Sequence, residues 1–214
     1  QGVASTANLV ITITGTNDVP VASAASNAVN EDAVVTGSVS ATDADQASGL
    51  VYSLNGAAPT GLTFNADGSY SFDATSYDSL ATGATQVITI PYTATDANNA
   101  SNSANLVITI TGSNDGPIAS AASNAVNEDA TISGSVSATD ADLGETATLV
   151  YTLNGAAPTG LTFNADGSYS FDASSYDSLV KDATQVLTIP YTATDAQGVA
   201  STANLVITIT GTND

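Results

Sequence analysis

Four short acidic sequences carry nearly all the chemistry open to this chain: NEDA at 30–33 and 127–130, ATDAD at 41–45 and 138–142, TATDA at 93–97 and 192–196, and TG(S/T)ND at 14–18, 111–115 and 210–214. Asp and Asn on turns can direct several oxygens at one point without disturbing a sheet. A hard cation such as calcium needs six to eight oxygens at about 2.3–2.6 Å. Other chemistries are poorly supplied. With no His and no Cys, a Ser-His triad and thiol nucleophiles are excluded, and Lys181 is the only basic side chain. A carboxylate-pair glycosidase is formally open, but both copies of every motif would have to carry the pair, and no enzyme activity is expected.

The motifs recur because the chain repeats. Residues 1–18, QGVASTANLVITITGTND, return letter for letter at 197–214, and NGAAPTGLTFNADGSYSFDA stands at both 55–74 and 154–173. A repeat of about a hundred residues is too long for a solenoid turn and matches an independent core. NEDA repeats at an offset of 97 and LVY at 99, so the second copy gains two residues where QASG (46–49) becomes LGETAT (143–148). A surface loop absorbs such an insertion at little cost. The division expected is 1–18 as the last strand of a preceding repeat, 19–115 as one module and 116–214 as a second.

These loops need elements to hold them, and the elements are strands. LVITITG at 106–112 and 205–211 places Leu, Ile, Ile on one side and Val, Thr, Thr on the other. TQVITIPYTATD (85–96) continues the alternation through Ile88, Ile90 and Tyr92, with Pro91 predicting an edge or a bulge. LTFNADGSYSF (62–72) reads as two strands joined at Asp67-Gly68, and Asn55-Gly56 marks another turn. No segment has helical periodicity. The fold class is all-β: tandem Greek-key sandwiches of about seven strands, with a core of Val51, Leu54, Leu62, Phe64, Tyr70, Phe72, Ile88, Ile90, Leu106 and Ile108 in the first module. Such a core is modest and calls for a staple.

Charge narrows the partners. Eighteen Asp and three Glu against one Lys leave a net charge of −20. Such a surface cannot displace counterions from phosphates, which excludes nucleic acid, and an anionic membrane repels it. No apolar run is long enough for membrane insertion. The acids cluster at loops, which argues for cation sites over general solubility.

ATDAD, then LVYSL or LVYTL, then YTATDA, then a strand ending in ND before Pro, resembles the extracellular cadherin repeat and its bacterial cadherin-like relatives. The NEDA start, near-identical copies and lack of Cys are similar above all to the VCBS-type extender repeats of giant RTX adhesins, which are type I secreted. The resemblance implies Ca2+ at each joint, held by a Glu of the upper module, the linker and two motifs of the lower one. Carried over, the central joint gathers Glu31, Asn114, Asp115, Asp140, Asp142 and Asp195, with Asp32 and Asp78 as weaker candidates. The joint before it keeps Asn17, Asp18, Asp43, Asp45 and Asp96 without a Glu. At the far end Glu128, Asn213 and Asp214 form half a site. Gly112 stands where the animal linker has an Asp, and NDGP is one residue short, so one or two ions per joint are expected. Asp67 and Asp166 read as plain hairpin residues. DADLGETATLVY is not an EF-hand loop, since Glu145 stands where that loop needs Gly and Tyr151 where it needs Glu.

The function implied is that of extender modules in an adhesin at the bacterial cell surface. They would be stiffened by calcium, would have neighbouring repeats as partners, and would hold a ligand-binding region elsewhere in the parent away from the cell for adhesion or biofilm formation. The alternative is a carbohydrate-binding or self-associating module. Tyr77 and Tyr176 in SYDSL are its candidate residues, although packing over a sandwich edge suits them better. Residues 1–18 contain a competent strand that is frayed, paired along an open edge, or packed on another copy.

Overall fold

The computed structural model describes residues 1–213, and Asp214 lies outside them. They form two compact units that do not coincide with the sequence repeats: Gln1–Asn27, Val35–Phe72 and Val87–Ile108 in one, and Ala28–Val34, Asp73–Gln86 and Thr109 onward in the other.

In the second sequence copy the strands are β10 (Ile118–Ser120), β11 (Ala122–Asn127), β12 (Thr131–Ser135), β13 (Ser137–Thr139), β14 (Val150–Leu153), β15 (Leu161–Phe163), β16 (Ser168–Asp172), β17 (Thr184–Thr194) and β18 (Ala200–Thr210). One sheet has the order β11-β18-β17-β14, the other β12-β16-β15, and β10 pairs with β13. The first copy repeats this with β1 (Val21–Ser23), β2 (Ala25–Asn30), β3 (Val34–Ser38), β4 (Ser40–Thr42), β5 (Val51–Leu54), β6 (Leu62–Phe64), β7 (Ser69–Asp73), β8 (Thr85–Thr95) and β9 (Ser101–Thr111). Its sheets are β2-β9-β8-β5, β3-β7-β6 and the pair β1-β4. The helical elements among the described residues are three single turns of 3-10 helix.

Nine stretches per copy reduce to the seven strands expected, because β10 and β11 are one chain pass interrupted at Ala121, and β12 and β13 another interrupted at Val136. At the second interruption the Val136 amide donates to the Gly167 carbonyl at 2.9 Å, in the β15–β16 hairpin, and the strand changes partner there. The pattern of period two sets the core. Leu205, Ile207 and Ile209 of β18 are fully buried, as are Leu106, Ile108 and Ile110 of β9. Tyr191 sits among them with its hydroxyl donating to the carbonyls of Ser120 and Ser137, so β10 and β13 are tied to the sheet that β17 belongs to. A buried phenol needs such a partner.

Two sequence readings are corrected here. Pro190, the counterpart of Pro91, lies in an interior strand with no bulge, because β17 and β18 pair one to one from Thr184↔Thr210 to Thr194↔Ala200 through Pro190↔Asn204. Its carbonyl accepts from Asn154 at 2.9 Å, so its missing N–H faces the point where β14 ends and the chain turns away. Val51 points outward and is 53% exposed, whereas Tyr52 faces in. Of the alternatives open for residues 1–18, the segment here is unpaired as a strand, with Leu9, Ile11 and Ile13 exposed, although the letters of 4–14 make β18 at 200–210.

Candidate metal centre

Every residue of the central joint discussed next belongs to the second compact unit. Glu31 follows the end of β2, and its amide donates to the Thr111 carbonyl at the end of β9, 3.0 Å away. That bond turns the side chain inward, where it is fully buried. One carboxylate oxygen accepts from the Ser113 amide at 2.7 Å and the other from the Leu80 amide at 3.1 Å. Gly112 sits between these contacts: a Cβ there would lie 2.4 Å from the Ala81 carbonyl oxygen and 2.6 Å from that of Leu80. Its φ is not positive, so the close approach of two backbones, and not a left-handed conformation, requires the glycine.

The linker then meets the loops of the second copy. The Asp115 amide donates to Asp142 Oδ2 at 3.1 Å, and Asn114 Nδ2 donates to Asp195 Oδ2 at 2.9 Å. Asp142 is buried, and its own amide donates to Asp140 Oδ1 at 3.0 Å, the local turn that Asp-Ala-Asp favours. Three groups of carboxylates result: Glu31, Asp115 and Asp142; Asp32, Asp78 and Asp115; and Asp140, Asp142 and Glu145, each with ligand atoms within 4.8 Å of one another. Asp115 and Asp142 are each shared by two groups, so the three form one chain of oxygen sites.

The electrostatics of the cluster are dominated by unbalanced negative charge. Asp115 is pushed up to about 6 by burial, then by repulsion from Asp78, Asp32, Asp142 and Glu31. Burial, followed by Asp32, also raises Asp78. Buried oxygens without a hydrogen-bond partner remain on Asp115 (Oδ2), Asp140 (Oδ2), Asp142 (Oδ1) and Glu145 (Oε2). Burying unpaired carboxylates together is unfavourable unless a counter-charge arrives, and the only Lys or Arg in the chain, Lys181, is exposed. Two oxygens on one calcium ion lie up to about 5 Å apart, so the donor set fits a hard divalent cation.

Most of the predicted ligands are brought together, with two differences. Asn114 turns its amide nitrogen, not its oxygen, toward Asp195, and its oxygen accepts from Thr82 at 3.3 Å. Asp195 lies outside the three groups, and the Asn114 hydrogen bond holds its carboxyl below the ordinary value. Glu145 is not among the ligands that the resemblance implies, yet it joins Asp140 and Asp142 in one of the three groups. The signal was there in the insertion that puts an acid into the ATDAD loop. Asp32 and Asp78, the weaker candidates, form a group of their own with Asp115.

The other ends repeat parts of this arrangement. Asn17 Nδ2 donates to Asp96 Oδ2 at 2.7 Å and the Asp18 amide to Asp45 Oδ2 at 2.6 Å, matching Asn114–Asp195 and Asp115–Asp142. Asp43 Oδ1 accepts from Asp45 and its Oδ2 is buried without a partner. Among the described residues these acids do not form a group of three. Glu128 is buried like Glu31, accepts from the Thr212 amide at 2.6 Å and keeps an unpartnered Oε2. The proposed ligand Asp214 lies outside the described residues. Asp67 and Asp166 behave as hairpin residues, each lowered by hydrogen bonds from Ser69 or Ser168. Tyr176 packs its ring 5.7 Å from Phe171, as an edge residue does.

Residues 114–211 match the family described as a bacterial cadherin-like domain, and residues 17–109 match the bacterial Ig domain. No curated protein matches the chain. Mouse cadherin-23 (EC22-24) is 22% identical with a TM-score of 0.53, over 91% of this chain and 65% of that one. Drosophila N-cadherin (EC1-4) is 18% identical with a TM-score of 0.54, over 92% and 50%. Human protocadherin-24 (EC1-2) is 18% identical with a TM-score of 0.52, over 93% and 100%. The chain thus spans just under two thirds of the cadherin-23 structure and half of the N-cadherin structure. With the sheet order above, these likenesses make the fold a cadherin-like, Ig-like β-sandwich.

Proposed function

We propose that the chain is a run of extender repeats from a large calcium-dependent bacterial surface adhesin of the RTX type. The modules are 19–115 and 116–214, with 1–18 as the last strand of the repeat before them. The observation that carries this reading is the joint itself: Glu31 of one copy, Asp115 of the linker and Asp142 of the next present oxygens within 4.8 Å of one another. A bound ion joins all three, so the chain is stiff with metal and compliant without it. Asp32, Asp78, Asp140 and Glu145 supply the flanking oxygens. The chain's residues do only this work; adhesion to a ligand, and biofilm formation, belong to other parts of the parent. The stiffened array stands outside the cell, with neighbouring repeats as its partners. No helix among the described residues is long and apolar enough to cross a membrane.

Scanning calorimetry with and without calcium tests the reading. With Kd of roughly 0.1–1 mM, 10 mM calcium adds about 1–3 kcal/mol per site, and the chain becomes longer in small-angle scattering. A melting temperature and scattering profile indifferent to calcium would end the proposal.

A further inference from the structure

The two copies differ most in the loop that follows ATDA. In the first it is Asp45 and then QASG; in the second, Asp142 and then LGETAT. The longer loop is built around its acids. Gly144 has a φ of +91°, open to glycine with little strain, and the chain then makes the single helical turn Glu145–Thr148. The Glu145 amide donates to the Asp142 carbonyl at 3.1 Å. Thr146 Oγ1 accepts from the Asp140 amide at 2.8 Å and is within 3.1 Å of the Asp140 carbonyl oxygen, to which it donates. Gln197 Nε2 donates to Glu145 Oε1 at 2.7 Å and holds that carboxylate in place.

The other oxygen, Oε2, is buried and has no partner, and the same holds for Asp140 Oδ2 and Asp142 Oδ1. Asp142 is 1% exposed. A glutamate present only to bond Gln197 has no reason to bury its second oxygen against two other carboxylates. In the first copy Gln46 follows Asp45 directly, its amide donates to Asp43 Oδ1 at 3.0 Å and its side-chain oxygen accepts from the Ala97 amide at 3.1 Å. No third carboxylate stands in that loop.

We propose that Glu145 completes, with Asp140 and Asp142, a divalent-cation position that the first copy lacks. All three ligands come from six consecutive residues, so this position fills without help from the linker or from Glu31. Successive joints of one array then differ in calcium affinity, set by a loop of six residues in place of four. The inference rests on the calcium reading above.

Isothermal titration of the whole chain with calcium chloride tests it, with Glu145→Gln, Asp115→Asn and a graft of LGETAT in place of residues 46–49. Glu145→Gln keeps an acceptor for Gln197 and removes only the charge. It should lose one binding event, or weaken one roughly tenfold, with an unchanged circular dichroism spectrum. Asp115→Asn should weaken the other events and keep the one that Glu145→Gln removes, and the graft should add an event. If Glu145→Gln binds as many ions as tightly as the parent, or the folded graft gains none, the inference falls and the calcium reading stands. If the parent chain binds no calcium, both fall.

Discussion

Asp115 feels Asp78, Asp32, Asp142 and Glu31, and its behaviour without metal gives the first prediction. Its carboxyl rises to about 6 in the folded chain, from an ordinary 3.8. The folded state therefore keeps a proton that the unfolded state releases. This group's contribution to stability is whole below about pH 4 and is lost as the pH climbs through about 6. Asp195 and Asp96, held low by Asn114 and Asn17, act in the opposite sense, but only at pH values below the ordinary carboxylate range. In chelator, the melting temperature should drop between about pH 5 and pH 7, and calcium at pH 7 should restore it. A metal-free midpoint that climbs over that interval would contradict the account. Glu31 gives a second test. Glu31→Gln removes a proposed ligand and one acceptor but also a buried negative charge, so the metal-free midpoint should change little. The gain from 10 mM calcium should shrink by about 1–3 kcal/mol, as read from paired melts.

At the scale of elements, the joint depends on backbone fit as much as on ligands. Gly112 brings the end of β9 against residues 80–81, and the Leu80 amide is one of the two donors to Glu31. Gly112→Ala forces that segment away, at a cost of about 1–3 kcal/mol. In urea melts the loss should be present in chelator and in calcium alike, unlike that of Glu31→Gln; equal stability of variant and parent would refute the close-approach argument. The period-two strands were legible in the sequence because one face of each is wholly apolar, as Leu106, Ile108 and Ile110 demonstrate. The facing of Val51 was not, since Leu-Val-Tyr has no period. Tyr52 decides it, because its hydroxyl oxygen accepts from the Ala41 amide at 2.9 Å, a tertiary contact. The change of partner at Val39 and Val136 was hidden likewise, because it follows from the carbonyls of Gly68 and Gly167 in another hairpin. The gathering of the acidic motifs was legible from their place in loops, and Glu31, Asp115 and Asp142 do meet in the folded chain. Glu145 was legible as an acid inserted after ATDAD, but its meeting with Asp140 and Asp142 follows only from the fold of that loop.

For the molecule as a whole, the repeat was the plainest feature of the sequence, and both copies adopt the same strand order. Within the second, β11 runs parallel to β18, from Ala122↔Leu205 to Asn127↔Thr210. The chain enters this copy beside one end of that ladder and leaves it at the other. Tension between its two ends thus slides β11 past β18 and loads all the bonds of the ladder together, instead of peeling them singly. In optical-tweezer pulling, Asn124→Pro, which removes one donor from this ladder, should lower the rupture force well below that of the parent, and equal forces would show that the load runs elsewhere. A tether assembled from such links yields late and abruptly under drag.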